Sequence, residues 1–188
     1  MASGKTVTLL LGGARSGKSR YAQVIASAYS RVTFIATAQR SDGEMRARIA
    51  RHQQERPAAW KTVEVTTELD QAILEQSAQA DLLLVDCLTL YVSNLMGHGE
   101  GAHSEIQPCF DRLSESLKRA ACSVVLVSNE VGSGIVPMHP VAREYRDLLG
   151  SLNQKVAVIA DRVVLMVAGL PLVVKDAAAG KRTKRNGA

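Results

Sequence analysis

GGARSGKS, at residues 12–19, is the stretch that decides the fold, because an apolar run at residues 7–11 precedes it and a helix-forming segment follows it. It matches the G-x-x-x-x-G-K-S pattern of a loop that binds phosphate between a strand and a helix. Its glycines let successive backbone N–H groups curve around the phosphate, and the positive end of the new helix faces the same anion. We expect Lys18 to reach the β- and γ-phosphates and the Ser19 hydroxyl to ligate Mg²⁺. The motif therefore predicts a nucleotide-binding protein.

The positive charge of the chain is concentrated in its last eight residues. Lys181, Arg182, Lys184 and Arg185 carry four charges there, and removing them from the formal net charge of +5 leaves +1 for residues 1–180. Aromatic residues make up only 4% of the chain, which leaves few platforms on which bases could stack. A nearly neutral body with few aromatics disfavours nucleic-acid binding, so a nucleic-acid-stimulated ATPase is the weaker alternative.

Length and composition predict a single domain. The chain has 188 residues, 46% of them apolar, which is enough for one core, and we place this domain at residues 1–175. Residues 176–188 are predicted to form a basic, disordered tail, and residues 1–5 a frayed terminus. No apolar run approaches the ~20 residues of a membrane span, no secretory pattern is present, and the three cysteines form no C-x-x-C pair. These features predict a cytoplasmic protein.

Apolar, β-branched runs alternate with helical patterns along the chain, which is typical of a parallel sheet with crossover helices. Strands are predicted at residues 7–11, 32–37, 62–65, 82–86, 124–128, 163–167 and 172–175. The last strand follows its predecessor so closely that we expect it to be an antiparallel edge. Helices are predicted at residues 18–28, 43–55, 68–79, 109–121 and 141–160. The whole pattern predicts an α/β fold of the P-loop NTPase (RecA-like) class, with a mostly parallel sheet, an antiparallel edge strand and helices on both faces.

Asp86 ends the predicted strand at residues 82–86, after four apolar residues. In P-loop proteins a carboxylate in this position helps to hold Mg²⁺ opposite the loop serine. Parallel strands also bring their carboxyl ends together at the edge where ligands bind. An aspartate that merely starts a loop is the alternative. With the phosphate loop present, the pattern favours a metal-binding role for Asp86 together with Ser19.

His52 lies on a predicted helix, one turn after Arg48. A neutral imidazole nitrogen is a competent nucleophile toward phosphorus, and neighbouring guanidinium groups would stabilise the charge that develops. Taken alone, however, these residues favour a surface or half-buried histidine over a nucleophile. Both interpretations stay open on this evidence.

The remaining polar residues carry weaker indications. His98 and His103 match no spacing of a metal site, and His139 is predicted to lie in a turn between prolines. Asn129 and Glu130 follow a predicted strand and face either the ligand edge or solvent.

Four segments together resemble one enzyme family, the bifunctional adenosylcobinamide kinase/adenosylcobinamide-phosphate guanylyltransferase of cobalamin biosynthesis. They are GGARSGKS at residues 12–19, DGEMRARIARHQQERP at residues 42–57, VDCLTLYVSNL at residues 85–95 and SNEVGSGIVP at residues 128–137. The resemblance runs from residue 7 to residue 175. A phosphate loop alone is shared by many activities, whereas its combination with the histidine segment and NEVGSGIVP is specific.

The resemblance implies two reactions. In the first, ATP or GTP phosphorylates the aminopropanol hydroxyl of adenosylcobinamide. In the second, GTP transfers GMP to that phosphate through a guanylylated histidine and releases pyrophosphate. It also implies a homotrimer with the nucleotide site near a subunit boundary. The loops at residues 97–103 and 132–140 are candidates for contact with the corrinoid. An enzyme with only the kinase or only the guanylyltransferase activity is the alternative.

Carried over by position, His52 matches the histidine nucleophile of the family, and Lys18 is expected to act with it in catalysis. Some members have two adjacent histidines here, whereas this chain has Arg51 before His52. The carboxylate of Glu64 could accept hydrogen bonds from guanine N1–H and the 2-amino group, which adenine lacks, and would favour GTP. The implied nucleotide-binding residues are Gly12, Gly13, Ala14, Arg15, Ser16, Gly17, Lys18, Ser19, Thr37, Ala38, Gln39, Gln53, Gln54, Glu55, Arg56, Glu64 and Asp86.

Overall fold

A computed structural model describes residues 4–38, 57–97 and 103–177, without the side chains of residues 103–105. Its strands are β1 (Val7–Gly12), β2 (Val32–Ala36), β3 (Lys61–Glu64), β4 (Leu82–Asp86), β5 (Ser123–Val127), β6 (Arg162–Val167) and β7 (Leu170–Asp176). They form one sheet in the order β3-β2-β4-β5-β1-β6-β7. Neighbouring strands pair in parallel except β6 and β7, which are antiparallel. The predicted sheet, with its antiparallel edge, is confirmed.

Helices cover both faces of this sheet, which confirms that part of the predicted fold class as well. In the described residues they are α1 (Lys18–Ala26), α2 (Leu69–Ser77), α3 (Leu88–Met96), α4 (His103–Arg119) and α5 (Pro140–Ile159). On one face, Ala22 and Ala26 of α1 belong to a buried cluster with Phe34. On the other face, α2 to α5 contribute to a larger cluster that includes Phe110 and Leu149.

The central strands are apolar throughout because both of their faces are buried. On β4, Leu82 and Leu84 belong to the cluster beneath α1, whereas Leu83 and Val85 belong to the cluster beneath the other four helices. Each of these four side chains is at most 1% exposed. Burial of each one stabilises the fold by about 1.5–3 kcal/mol, so a polar residue at any of them would be costly.

One helix, α3, was missed in the sequence analysis. Its buried residues Leu88, Tyr91, Val92 and Leu95 have the i, i+3, i+4, i+7 spacing of a helix face. The helix is only nine residues long and mostly apolar, and periodicity alone does not distinguish such a segment from a buried strand. Its place directly after β4 matters, because it brings two polar residues to the ligand edge of the sheet.

Helix α4 begins at His103, six residues before the predicted start at Cys109. The predicted start after Pro108 was wrong because the buried stripe of the helix begins earlier. Ile106 is 3% exposed and lies one turn before the fully buried Phe110. Pro108 occupies the exposed side of the same helix. Burial of Ile106 therefore extends the helix through the proline.

Helix α5 begins at Pro140, and Leu148, Leu149, Leu152 and Val156 form its buried stripe, as predicted. Ile159, predicted in the same stripe, is half-buried against the core. Among the described residues, no helix combines the length and the apolar character needed to cross a membrane.

The first described residues are held by the domain, contrary to the prediction. Lys5 Nζ donates hydrogen bonds to the carbonyls of Lys118 at 3.1 Å and Ala120 at 2.8 Å. These carbonyls lie at the C-terminal end of α4, where no further helical N–H is available to them. The frayed terminus predicted for residues 1–5 is therefore wrong at Lys5. At the other end, β7 ends at Asp176, and residues 178–188 are not among the described residues, so the predicted domain boundary and basic tail stay predictions.

Candidate functional site

The phosphate loop connects β1 to α1, as predicted. Gly17 is the N-cap of α1 and has a left-handed backbone with φ of 95°. The bond from Tyr21 N to Gly17 O, at 2.9 Å, begins the helical hydrogen bonding, and the amides of the first turn precede it. In the described part of the chain no side chain caps this helix, and its first turn contains no acidic residue. The loop therefore presents backbone N–H groups and the positive end of α1 to an anion.

Lys18 is folded into the loop. The residue is only 7% exposed. Its Nζ donates hydrogen bonds to Gly12 O at 2.8 Å and Gly13 O at 2.6 Å, and lies 3.5 Å from Ser16 Oγ. These contacts hold the ammonium group inside the curve of the loop. A phosphate bound by the loop amides would therefore meet a cation that is already in place.

The turn between β6 and β7 packs against the phosphate loop. Gly169 N donates a hydrogen bond to Ser16 O at 3.0 Å. A Cβ atom on Gly17 would lie 3.2 Å from Gly169 Cα, and one on Gly12 would lie 2.6 Å from both Met166 O and Ser16 Oγ. The glycines are thus required by packing against the antiparallel edge as well as by the predicted phosphate contact.

We expect Gly12→Ala to lower the free energy of unfolding by about 3 kcal/mol, because its Cβ overlaps a backbone oxygen and φ is 150°. Gly13→Ala is the matched control, because a Cβ there has no neighbour within 4 Å. Urea unfolding of both variants measures the difference. Equal stabilities would show that β6 does not constrain the loop at Gly12.

Polar residues line the carboxyl edge of the sheet beside β1. In register, Ala36 pairs with both Glu64 and Asp86, and Asp86 pairs with Val127. Asp86 lies two strands from the phosphate-loop strand and Glu64 lies four strands from it, so the edge extends roughly 19 Å from β3 to β1. A single ligand that touches both the phosphate loop and Glu64 must therefore lie extended along this edge.

Thr37 joins the end of β2 to the end of β4. Its side chain is fully buried, and its Oγ1 donates to Cys87 O at 2.7 Å and accepts from Cys87 N at 2.8 Å. Asn94 of α3 donates through Nδ2 to Thr37 O at 2.8 Å and to Thr66 O at 3.1 Å. The hydroxyl of Thr37 is thus engaged within the protein, Ala38 after it is half-buried, and the nucleotide contacts predicted for both residues stay predictions. Asn94 was not predicted, because nothing in the sequence separates it from an ordinary polar helix residue.

Cys87 follows Asp86 at the same edge. Burial, with a smaller effect from the charge of Asp86, raises the pKa of the Cys87 thiol to about 11. A cysteine attacks phosphorus or carbon as the thiolate. At neutral pH this thiol is protonated, so Cys87 is a poor nucleophile in spite of its position.

Asn129 and Glu130, which follow β5, make different contacts. Asn129 N donates to Thr89 Oγ1 at 3.0 Å, and Asn129 O accepts from Asn153 Nδ2 at 3.0 Å. Glu130 N donates to Gly12 O at 3.1 Å, which places this exposed residue against the phosphate loop. The backbone of Glu130 therefore contacts the phosphate loop, whereas its carboxylate accepts from Gly132 N at 2.7 Å.

The donors at this edge fit the predicted Mg²⁺. The ion takes oxygen ligands and is usually held by one or two carboxylates together with substrate phosphates and water. Ser19, in the first turn of α1, and Asp86, at the end of β4, are both half-buried and supply a hydroxyl and a carboxylate. Within the described ranges, no group of three His, Cys, Asp or Glu side chains is placed to hold a metal.

Part of the predicted site lies outside the described residues, including the helix predicted at residues 43–55. His52 is among them, so its role as nucleophile stays a prediction. His98 also lies outside, as does the side chain of His103, whereas His139 precedes α5 in a bend, as predicted. The other predicted nucleotide-binding residues that lie outside are Gln39, Gln53, Gln54, Glu55 and Arg56.

Comparison with known proteins identifies one family. The family model CobU, described as cobinamide kinase / cobinamide phosphate guanyltransferase, matches residues 8–174. This range begins in β1 and ends in β7, so it includes the phosphate loop and at least part of every strand of the sheet.

Individual relatives have names that describe the same kind of protein. The bifunctional adenosylcobalamin biosynthesis protein CobP of Pseudomonas aeruginosa is 42% identical over 168 residues, which cover 89% of this chain and 96% of the relative. The bifunctional adenosylcobalamin biosynthesis proteins CobU of Salmonella typhimurium and of Escherichia coli are each 39% identical over 178 residues, which cover 89% of this chain and 98% of the relative.

Proposed function

The chain belongs to the cobinamide kinase / cobinamide phosphate guanyltransferase family, and from this premise we propose that it is a bifunctional transferase of cobalamin biosynthesis. It phosphorylates adenosylcobinamide and then converts adenosylcobinamide phosphate to adenosylcobinamide-GDP. The observation that carries the proposal is the phosphate loop itself, with Lys18 held at its centre, in a chain similar over 89% of its length to two-activity relatives.

In the kinase step, the aminopropanol hydroxyl oxygen bonds to the γ-phosphorus of ATP or GTP. The bond from that phosphorus to the β-phosphate oxygen breaks, the hydroxyl proton passes to a base, and the nucleoside diphosphate leaves. The amides of the loop and Lys18 stabilise the charge on the phosphate oxygens, which is the main way proteins accelerate phosphoryl transfer. Ser19 and Asp86 would hold Mg²⁺ here, and its charge would offset that of the same phosphates.

In the guanylyl step, an imidazole nitrogen of His52 bonds to the α-phosphorus of GTP, and pyrophosphate leaves. An oxygen of adenosylcobinamide phosphate then bonds to that phosphorus, the phosphorus–nitrogen bond breaks, and the imidazole is released. The covalent route divides one difficult substitution into two, each with a good leaving group.

The extended polar edge of the sheet supports this assignment. An extended nucleoside triphosphate has a length comparable to the roughly 19 Å from β1 to β3. With its phosphates at the loop, its base would lie toward Glu64, which is exposed at the end of β3. The binding of one GTP along this edge would use the predicted residues at both of its ends.

Separate assays of the two half-reactions test the proposal. With γ-labelled ATP or GTP and Mg²⁺, we expect labelled adenosylcobinamide phosphate. With α-labelled GTP and no corrinoid, we expect labelled protein that passes its label to added adenosylcobinamide phosphate. Loss of one half-reaction would leave a monofunctional enzyme. Hydrolysis stimulated by nucleic acid, with neither transfer, would overturn the proposal.

We expect Glu64→Gln to reduce the preference for GTP over ATP by about 10- to 100-fold, because the amide would place a donor against the donors of guanine. Competition of ATP against α-labelled GTP in protein labelling measures this preference. Glu68→Gln is the matched control, since Glu68 is another exposed carboxylate that follows β3. An unchanged preference in Glu64→Gln would contradict the role of Glu64.

The assembly and the compartment are part of the same proposal. The resemblance implies a homotrimer, and the sequence features predict a cytoplasmic protein. Analytical ultracentrifugation of the full chain tests the trimer.

A further inference from the structure

The loop between β5 and α5 displays four large apolar side chains to solvent. The exposed fractions are 97% for Ile135, 58% for Val136, 92% for Met138 and 65% for Val141. Single exposed apolar residues are common on proteins, but four within seven residues form a patch, and such patches mark binding surfaces. We name these four residues the apolar platform.

Polar contacts hold both ends of this loop. At its start, Glu130 N donates to Gly12 O at 3.1 Å and Glu130 Oε1 accepts from Gly132 N at 2.7 Å. Near its end, Arg143 Nη1 donates to Pro137 O at 3.0 Å and to Met138 O at 2.6 Å. The backbone is thus tied to the protein while the apolar side chains point outward, as a rigid contact surface requires.

The start of the platform is limited by the chain to the neighbourhood of the phosphate loop. Ile135 is five residues from Glu130, whose amide contacts the phosphate loop, and five residues of extended chain span at most about 18 Å. The hydroxyl that receives the γ-phosphate must itself come to the loop, so the rest of a large acceptor must rest on a neighbouring surface.

On the basis of the proposed function, we propose that the apolar platform binds the corrin macrocycle of the acceptor. A corrinoid is a wide ring system whose rim carries methyl groups between amide side chains. Its apolar faces and methyl groups match exposed Ile, Val and Met, and the flexible thioether of Met138 adapts to an uneven rim. Contact with the platform removes apolar surface of both partners from water and leaves the aminopropanol arm directed to the phosphate loop.

A second copy of the chain is the competing occupant, and the structure offers it a more suitable surface. Strand β7 is the sheet edge opposite β3 and pairs only with β6 among the described strands. Its exposed residues include Leu170, Leu172 and Val174. An edge strand carries unpaired backbone N–H and C=O groups, which another chain can satisfy and a corrinoid cannot. In the apolar platform, by contrast, Arg143 already donates hydrogen bonds to two of the loop carbonyls. A ligand there would therefore contact the apolar side chains rather than the backbone.

The test compares Ile135→Ser/Met138→Ser with Val24→Ser/Val158→Ser, a control pair of exposed apolar residues on α1 and α5 outside the site (61% and 77% exposed). Equilibrium dialysis, read by the visible absorption of the corrinoid, gives Kd for adenosylcobinamide. We expect the platform variant to raise Kd, and KM in the kinase assay, by about 10- to 100-fold. Protein labelling by α-labelled GTP without corrinoid should stay within twofold of wild type, and the control pair should bind normally.

Two results would overturn the inference. In one, the platform variant binds adenosylcobinamide as tightly as wild type. In the other, sedimentation shows a change of assembly state and Kd changes only with it, which would assign the surface to a contact between copies. A wild-type protein that fails to bind the corrinoid would instead overturn the proposed function, and the inference with it.

Discussion

We expect α-labelled GTP to label the His52→Ala variant at least about 10³-fold less than the wild-type protein, because the nucleophile that forms the covalent bond is removed. Transfer of GMP to adenosylcobinamide phosphate falls with it. The kinase half-reaction is retained, since the γ-phosphate passes directly to the hydroxyl and needs no protein nucleophile. Loss of the guanylyl half-reaction together with retention of the kinase half-reaction is the result that this mechanism predicts.

The chemistry of the label tests the same assignment in the wild-type protein. A phosphorus–nitrogen bond to imidazole breaks in acid and survives base, so the label should be lost in acid and kept in base. The chain has four histidines, and His98→Ala and His103→Ala serve as matched controls that should label normally. Labelling that persists in His52→Ala, or a label stable to acid, would contradict the histidine mechanism.

The phosphate loop and the sheet could be predicted because their residues satisfy local rules. GGARSGKS has a strand before it and a helix after it, and the central strands are apolar throughout because both faces are buried. The few residues between the last two strands predicted that the final strand is an antiparallel edge, and the pairing of β6 with β7 confirms this. These features are determined by residues that are close together along the chain, so they can be predicted from one sequence.

The parts that were missed depend on tertiary contacts. Helix α3 is short and apolar, and only its packing between β5 and α5 distinguishes it from a strand. Asn94 donates hydrogen bonds to backbone carbonyls that are distant in sequence. Arg143 donates hydrogen bonds to carbonyls of the irregular loop before its own helix. Such bonds leave no periodic pattern, so no rule of spacing could have found them.

The spread of the predicted site is also a tertiary property. Asp86 was predicted at the end of one strand and Glu64 within another, and the strand order places them two and four strands from β1. The insertion of β5 between β1 and β4 sets that separation. The predicted site residues therefore lie along an extended edge, and Glu64 lies at the end of it that is farther from the phosphate loop, where a contact with the base rather than with the phosphates is expected.

Lys18→Ala is expected to lower kcat/KM of both half-reactions by about 10²–10³-fold, because both develop charge on phosphates bound at the loop. In the structure its Nζ bonds to the carbonyls of Gly12 and Gly13. Binding of phosphate offers the ammonium group an anionic partner in the same place, so little reorganisation is needed. Steady-state kinetics of each half-reaction measure the loss.

Removal of Lys18 also leaves two loop carbonyls without this donor, so a loss of activity could reflect a loss of structure. Lys175→Ala is the matched control, since Lys175 Nζ donates to two backbone carbonyls, Ala157 O and Val158 O, both at 2.9 Å. Each variant should lose about 1 kcal/mol of unfolding free energy per hydrogen bond. Only Lys18→Ala should lose catalysis. Equal activities of the two variants would show that the ammonium group of Lys18 supports the loop and takes no part in the transfer of phosphate or GMP.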